Sequence, residues 1–386
     1  MSPLAFSIFC LYNDSIQRRH ALKYGAPGSA ERYFLYGLDQ FVGQGVGARH
    51  NLISSTCPSL GARILASGLN KFLAYLGGYG GDFPSVWSFR QQIGASDLVF
   101  STADTVGIPL VLLRHFGLIC RPTIYVSIGL MERVKRLRSK ITQGIYRRAF
   151  SRVEVMIAYG FQEAHDLREW LGQGGVGGVV RFVPFGVDTE YFQLNDTVAS
   201  EIDVLSIGAD PCRDFSLLAE FARRNPGTSV RIITTAKQAR ELGTLPENVQ
   251  LLINVPFPVI RDQIAVTRVI ALPVKENSYS GATTTLLQAM AMAKPVVISN
   301  VGAISQGYHL RNGVNCQLVK PGDAHGFEHA LSVLLANPNF AETIGANARK
   351  TVVEHHSWDQ YVETLLLLFE EVLDTTTKSG LYERSV

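Results

Sequence analysis

Pro273-Val-Lys-Glu-Asn-Ser-Tyr-Ser-Gly-Ala-Thr-Thr-Thr-Leu-Leu-Gln-Ala-Met-Ala-Met-Ala-Lys-Pro-Val-Val297 reads as the end of one strand, a polar loop, a helix and the start of the next strand. The helix is expected from about Thr283 to Met292, with Ser280-Gly281 opening it. The free N–H groups of a first helical turn and the helix dipole together make an anion site. Gly281 lets an anion approach the backbone, Ala282 adds no bulk, and Thr283 and Thr284 add hydroxyl donors. Gln288 lies about two turns further on. The same residues also fit a plain serine cap on a helix that packs into a core.

Outward from this segment, short apolar runs alternate with longer amphipathic stretches, the pattern of a parallel sheet covered by helices. In the first half, strands are expected at Phe6 to Leu11, Ala48 to Ile53, Asp97 to Ser101, Thr123 to Ser127, Glu154 to Ala158 and Val179 to Pro184, with a helix over Ala30 to Gln44. The series restarts at Asp203 to Gly208 and continues through Val230 to Thr234, Val269 to Pro273, Pro295 to Ser299 and a short strand in Val314 to Val319. Two helices close the chain, about Ala324 to Ala336 and Trp358 to Leu373. Ligands of open parallel sheets bind beyond the carboxyl ends of the strands. Two such sheets in one chain lead us to expect a cleft between them.

Composition agrees with a folded chain of two domains: 386 residues exceed one ordinary core, and 46% hydrophobic with 18% charged residues excludes a disordered chain. A formal net charge of +3 is too small to argue for nucleic acid. The five cysteines, Cys10, Cys57, Cys120, Cys212 and Cys316, show no C-x-x-C spacing, so neither structural zinc nor a disulfide framework is expected, and reduced thiols in a cytoplasmic compartment fit best. Met1 to Tyr12 reads as a buried strand rather than a signal peptide, and no apolar run reaches the roughly 20 residues of a spanning helix. Arg133 to Arg152 concentrates Arg133, Lys135, Arg136, Arg138, Lys140, Arg147, Arg148 and Arg152 among apolar residues. It is expected as an amphipathic helix with a cationic face, which suits peripheral contact with an anionic membrane, a phosphorylated acceptor, or simply water.

Six segments, in order along the chain, resemble glycosyltransferase family 4. The segment from Pro273 looks like that family's donor-binding stretch, E-x7-E followed by Ala-Met-Ala and x-Pro-Val-Val. Gly25-Ala-Pro-Gly-Ser-Ala-Glu-Arg32 resembles its glycine-rich turn, and Phe182-Val-Pro-Phe-Gly-Val-Asp-Thr-Glu-Tyr-Phe192 its linker signature. Val204-Leu-Ser-Ile-Gly208, Leu318-Val-Lys-Pro-Gly-Asp323 and the helix beginning at Ser357-Trp358 match three further landmarks. The resemblance implies the GT-B fold, two Rossmann-like domains facing a central cleft. Their expected spans are 1–185 and 186–356, with 357–386 as a returning helix and tail.

The departures from the family pattern fall on chemistry. Ser280 and Gln288 stand where both glutamates of E-x7-E would be. Glu276 lies four residues earlier and is a candidate for contact with the sugar, or else a solvated loop carboxylate. After Gly208 the family carries an arginine and then a lysine directed at the diphosphate; here the run is Ala209-Asp-Pro-Cys-Arg-Asp-Phe215. Arg213, beside the lysine's place, is the substitute cation, and Lys275 is a second candidate. The family's first-domain histidine is missing from Tyr125-Val-Ser-Ile-Gly-Leu130. Asp104 is the nearest titratable group expected in the cleft, with a helix cap as its alternative role.

The resemblance therefore implies a retaining transferase acting on a UDP- or GDP-linked sugar and an unknown hydroxyl acceptor, in glycan, glycolipid or polysaccharide synthesis. No D-x-D motif appears, and no metal or cofactor is expected beyond the donor substrate. Arg213 and the helix N-terminus would hold the diphosphate, Gln288 the ribose, Glu276 or Ser280 the sugar, and Gly28 and Ser29 would contribute from the first domain. A sugar-nucleotide epimerase on the same fold would need acid–base groups at positions where this sequence has none. A binding protein without turnover is the third reading, motivated by the replaced glutamates.

Overall fold

The computed structural model describes residues 6–25, 30–52, 60–172, 179–193, 199–279 and 281–379. The chain divides into two compact units, Met1–Val183 with Val362–Val386, and Pro184–Tyr361.

The first unit holds a six-stranded parallel sheet made of β1 (Ser7–Leu11), β2 (Gly47–His50), β3 (Leu98–Ser101), β4 (Thr123–Ser127), β5 (Val155–Ala158) and β6 (Val179–Phe182). The spatial order is β2-β1-β3-β4-β5-β6. Every residue of β3, β4 and β5 is buried, which is why these strands read as unbroken apolar runs rather than alternating ones. From the closing helix, Trp358–Ser379, Phe369 is buried edge-on against Phe41 and tilted against Phe100, with ring centroids 5.2 and 5.3 Å apart.

The second unit holds β7 (Ile202–Ile207), β8 (Val230–Thr234), β9 (Val249–Ile253), β10 (Thr267–Leu272), β11 (Val296–Ser299) and β12 (Gln317–Val319), all parallel. Their order is β12-β11-β10-β7-β8-β9. The chain first builds outward from β7 through β8 to β9, then returns to β10 on β7's other side. The β7/β10 boundary is thus the point where strand order reverses, the position at which doubly wound sheets open a crevice for ligands. The linker signature belongs to this unit: the Asp188 carboxylate accepts from the N–H groups of Glu190 and Tyr191 at 3.0 and 2.9 Å, and Val187 bridges Ser357. Gly186 has no room for a side chain, since a Cβ would lie 2.7 Å from Tyr361 and 2.8 Å from the Ser357 carbonyl.

Two expected helices are not continuous. Ala30 to Gln44 is a 3-10 segment, Ala30–Leu35, followed by a separate helix, Leu38–Gly43. Tyr36 and Gly37 take left-handed backbone angles (φ of 54° and 89°), which no α-helix accommodates. The basic stretch is split likewise into Leu130–Val134 and Lys140–Phe150, the latter restarted by a Ser139 cap whose hydroxyl accepts from the Thr142 N–H. The edge strand β9 and the helices Ile16–Tyr24, Leu60–Tyr75 and Pro338–His355 have no counterpart among the expected elements.

Candidate functional site

The loops leaving β7 and β10 are tied together at the reversal point. Asp214 N–H donates to Pro273 O (2.9 Å), and Lys275 N–H to Cys212 O (2.8 Å), with Arg213 bridged to Val274. The Val274 N–H in turn donates to the Ser299 hydroxyl at the end of β11 (2.9 Å). Three neighbouring strand ends therefore fix one another, and the segment Gly208–Asp214 has a defined place beside the helix Thr283–Ala291.

At the centre lies Arg213, only 5% exposed. Its Nη2 donates to the Thr285 hydroxyl at 3.4 Å, while Nε and Nη1 have no hydrogen-bond partner among the described residues. Burial pushes the guanidinium down to about 10, against the attraction of Asp210 and Tyr279. An arginine does not give up its proton in practice. It is therefore a charge held out of water whose Nε and Nη1 have no acceptor among the described residues, an arrangement that an arriving anion would relieve. Gly208 makes the pose possible, since a Cβ there would stand 2.2 Å from Arg213 Nε.

The helix start sharpens the sequence reading. Its cap is Ala282, which brings no side-chain acceptor, and helical residues begin at Thr283. Of the N–H groups expected to face an anion, Gly281's is committed to Tyr279 O at 2.9 Å. The opening turn thus offers Ala282, Thr283 and Thr284 rather than Gly281. Thr283 and Gln288 are buried and Thr284 is half-buried. Gly281 abuts Asp210 so closely that a Cβ would lie 2.5 Å from the carboxylate. Asp210 also accepts from the Cys212 N–H (2.7 Å), and its backbone carbonyl accepts from the Gln238 amide. The Tyr279 hydroxyl donates to Cys212 Sγ at 3.4 Å, and burial raises its pKa well above the usual range.

Lys275 and Glu276 are exposed on the same loop, immediately beyond the Arg213–Val274 bridge. Ser280, and Gly28 with Ser29 in the first unit, lie outside the described residues. Sequence reasoning did not single out Asp210, Tyr279, Thr285 or Gln238. Asp210 sits in the same loop as Arg213, whereas the adjacency of β7 with β10 and β8 brings Tyr279, Thr285 and Gln238 to that loop.

Asp104 is not an open carboxylate. It is the first residue of the helix Asp104–His115, itself capped by Ala103, and it is 2% exposed. It accepts from the Tyr125 hydroxyl, from Ile128 N–H (3.2 Å) and from Arg133 Nε (3.0 Å). The Arg133 guanidinium also rests on the Tyr79 ring, 4.1 Å from its centroid. Asp104 therefore holds β4 and the following turn in place; the expected cap role fails because the side chain reaches across the sheet instead. In the same unit Glu163, 1% exposed, accepts from the Ser127 hydroxyl (2.6 Å) and Gly129 N–H (2.8 Å), and burial raises it to about 7.

Two parallel six-stranded sheets with this strand order define the GT-B fold of glycosyltransferases. Sucrose-phosphate synthase from Thermosynechococcus elongatus superposes over 96% of this chain and all of its own, with a TM-score of 0.67 at 16% identity. Anabaena HepE, solved in complex with UDP and glucose, covers 95% of this chain and 99% of its own (TM-score 0.65, 16% identity). Residues 215–337, within the second unit, match the family model described as Glycosyl transferases group 1. An MMP alpha-(1->4)-mannosyltransferase from Mycolicibacterium hassiacum is 25% identical over 202 residues. That similarity spans 50% of this chain and 48% of the relative, so the chain matches about half the length of this curated relative.

Proposed function

We propose that this chain is a glycosyltransferase that moves a sugar from a nucleoside-diphosphate donor to a hydroxyl acceptor. The observation that carries the reading is the buried Arg213 guanidinium, with Nε and Nη1 unpartnered among the described residues at the point where strand order reverses. A donor diphosphate would supply the missing acceptors. As the sugar–phosphate bond breaks, negative charge grows on the departing diphosphate, and a preorganised cation with helix N–H groups stabilises that charge more than the ground state. Arg213 and the N–H groups of Ala282 to Thr284 take that role, with Lys275 as a second, exposed cation. Gln288 positions the ribose, and Glu276 or Ser280 contacts the sugar.

The donor is of UDP or GDP type, a reading supported by the UDP bound to HepE and by the mannosyl transfer named for the mycobacterial relative. The reaction retains anomeric configuration, with the acceptor hydroxyl attacking on the leaving-group face. Such a route needs no prominent enzymic base, which suits a first unit whose Asp104 is already engaged. Protein groups rather than a metal neutralise the diphosphate.

The test is a thermal-shift screen of the purified chain against UDP, GDP, ADP and their sugars, followed by transfer assays with an acceptor panel. Selective stabilisation by one nucleoside diphosphate is expected. Failure of every nucleotide to shift the melting temperature would defeat the reading, and turnover of donor without acceptor into an isomeric sugar nucleotide would replace it with an epimerase.

A further inference from the structure

The largest concentration of exposed apolar side chains among the described residues lies in the first unit. On the helix Leu60–Tyr75, six of them face water: Leu60 (72% exposed), Ile64 (64%), Leu65 (76%), Leu69 (38%), Phe72 (59%) and Tyr75 (78%). At about 100° per residue these positions sweep roughly half of the helix circumference. Among the described side chains of this helix only Ala66 is buried. A helix anchored so lightly, with its apolar half outward, calls for a partner.

Charge indicates which partner. The helix contains Arg63 and Lys71 and no acidic residue. Its carboxyl end is joined to the basic segment, because Arg138 N–H donates to Leu76 O (3.1 Å) and the Tyr146 hydroxyl to Tyr79 O (2.7 Å). That segment adds exposed Arg136, Arg138, Lys140, Arg147 and Arg148, and an exposed Ile141 (76%) beside them. Between the helix and the loop Gly77–Gly81 is an open cavity of about 720 Å³, whose lining includes Arg63, Asn70 and Lys71. A second copy of this face would set cations against cations, whereas an anionic bilayer satisfies the apolar half and the cations together.

We propose that the helix Leu60–Tyr75 inserts its Leu65/Phe72 face into the interface of an anionic membrane, with the basic segment Arg136 to Arg148 meeting the lipid phosphates. The proposal is independent of the donor-site reading. It also changes the sequence expectation: the basic stretch supplies charge to the contact, while the apolar surface comes from a different helix.

The test is co-sedimentation of the full chain with vesicles of phosphatidylcholine alone or mixed with phosphatidylglycerol, at low and high salt. Binding is expected only to the mixed vesicles and to weaken with salt. L65E/F72E should lower the partition coefficient by at least about tenfold, since each position loses buried apolar area and gains a repelled charge. R136E/R147E should lower it as well and flatten its salt dependence. Both pairs lie on the surface, and an unchanged circular dichroism spectrum with unchanged nucleotide binding confirms folding. Equal binding to neutral and anionic vesicles, or unaltered partition of L65E/F72E, overturns the proposal. So does a dimer in sedimentation analysis that L65E/F72E dissolves while vesicles go unbound, which would make the face a contact between copies.

Discussion

Replacing Arg213 with methionine should make the empty protein more stable and leave it gaining much less from bound ligand than the wild type does. Burial lowers the guanidinium from its ordinary value to about 10, more than two pH units. At about 1.4 kcal/mol per pH unit, that corresponds to about 3 kcal/mol of unfavourable burial. Against it stands the long hydrogen bond to Thr285 at 3.4 Å, worth about 1 kcal/mol at most. Methionine fills similar volume without charge, so R213M should gain about 2 kcal/mol in urea unfolding without nucleotide. With nucleotide the advantage shrinks or disappears. A charge-assisted hydrogen bond to phosphate contributes about 1.5–3 kcal/mol, so Kd should rise roughly 10- to 150-fold. At a concentration of about 100 times the wild-type Kd, the ligand adds about 2.7 kcal/mol to the wild type; a 100-fold weaker Kd leaves the variant about 0.4 kcal/mol. Urea titrations of both proteins, with and without the nucleoside diphosphate that gives the largest thermal shift, measure all four quantities. If R213M is less stable when empty and binds nucleotide as tightly as the wild type, Arg213 is a structural residue and the site assignment fails.

Gly208→Ala would bring a methyl group to 2.2 Å from Arg213 Nε; displacing the guanidinium should weaken nucleotide binding at least about tenfold, for a stability loss of about 1–3 kcal/mol, read by calorimetry and urea unfolding. Asp104→Asn should lower stability by about 3 kcal/mol, because it leaves the half-buried Arg133 without its carboxylate, yet transfer activity per folded molecule should persist; a selective loss of kcat would restore Asp104 to the chemistry. His356 is 2% exposed with Nε2 3.2 Å from His309 Nδ1, and burial, followed by repulsion from His309, lowers it from 6.5 to about 4. Between those values the unfolded chain binds the proton and the folded one does not, so stability should fall as pH drops from 6.5 towards 4, by up to about 3 kcal/mol. Urea midpoints across that range should show this slope in the wild type and a shallower one in His356→Phe.

Much of the architecture was visible in the sequence because buried parallel strands are apolar on both faces. DLVFS, TIYVS and VRIIT announce β3, β4 and β8 without any need for periodicity. β9 escaped notice because it lies at a sheet edge, with its residues only half-buried or exposed. The helix Ile16–Tyr24 was invisible for a related reason: only Ala21 is buried, so no apolar stripe marks it. At the site, Arg213 and the helix beginning at Thr283 could be placed by register along the chain. Thr285 could not, since it meets Arg213 only through the pairing of β7 with β10, a contact between residues 72 positions apart. Asp104 misled for the opposite reason. An acidic residue ahead of a helix is an ordinary cap signal, and nothing local shows that Tyr125 and Arg133 will claim it.

The position of Phe369 between Phe41 and Phe100 has a consequence for synthesis. Residues 184–361 form one continuous unit, whereas the sheet built from residues 6–182 lacks part of its core until the closing helix has been made. On the ribosome, the segment translated first therefore keeps part of its apolar surface uncovered until the closing helix emerges. The closing helix is the step at which the early half stops exposing that surface to chaperones and proteases.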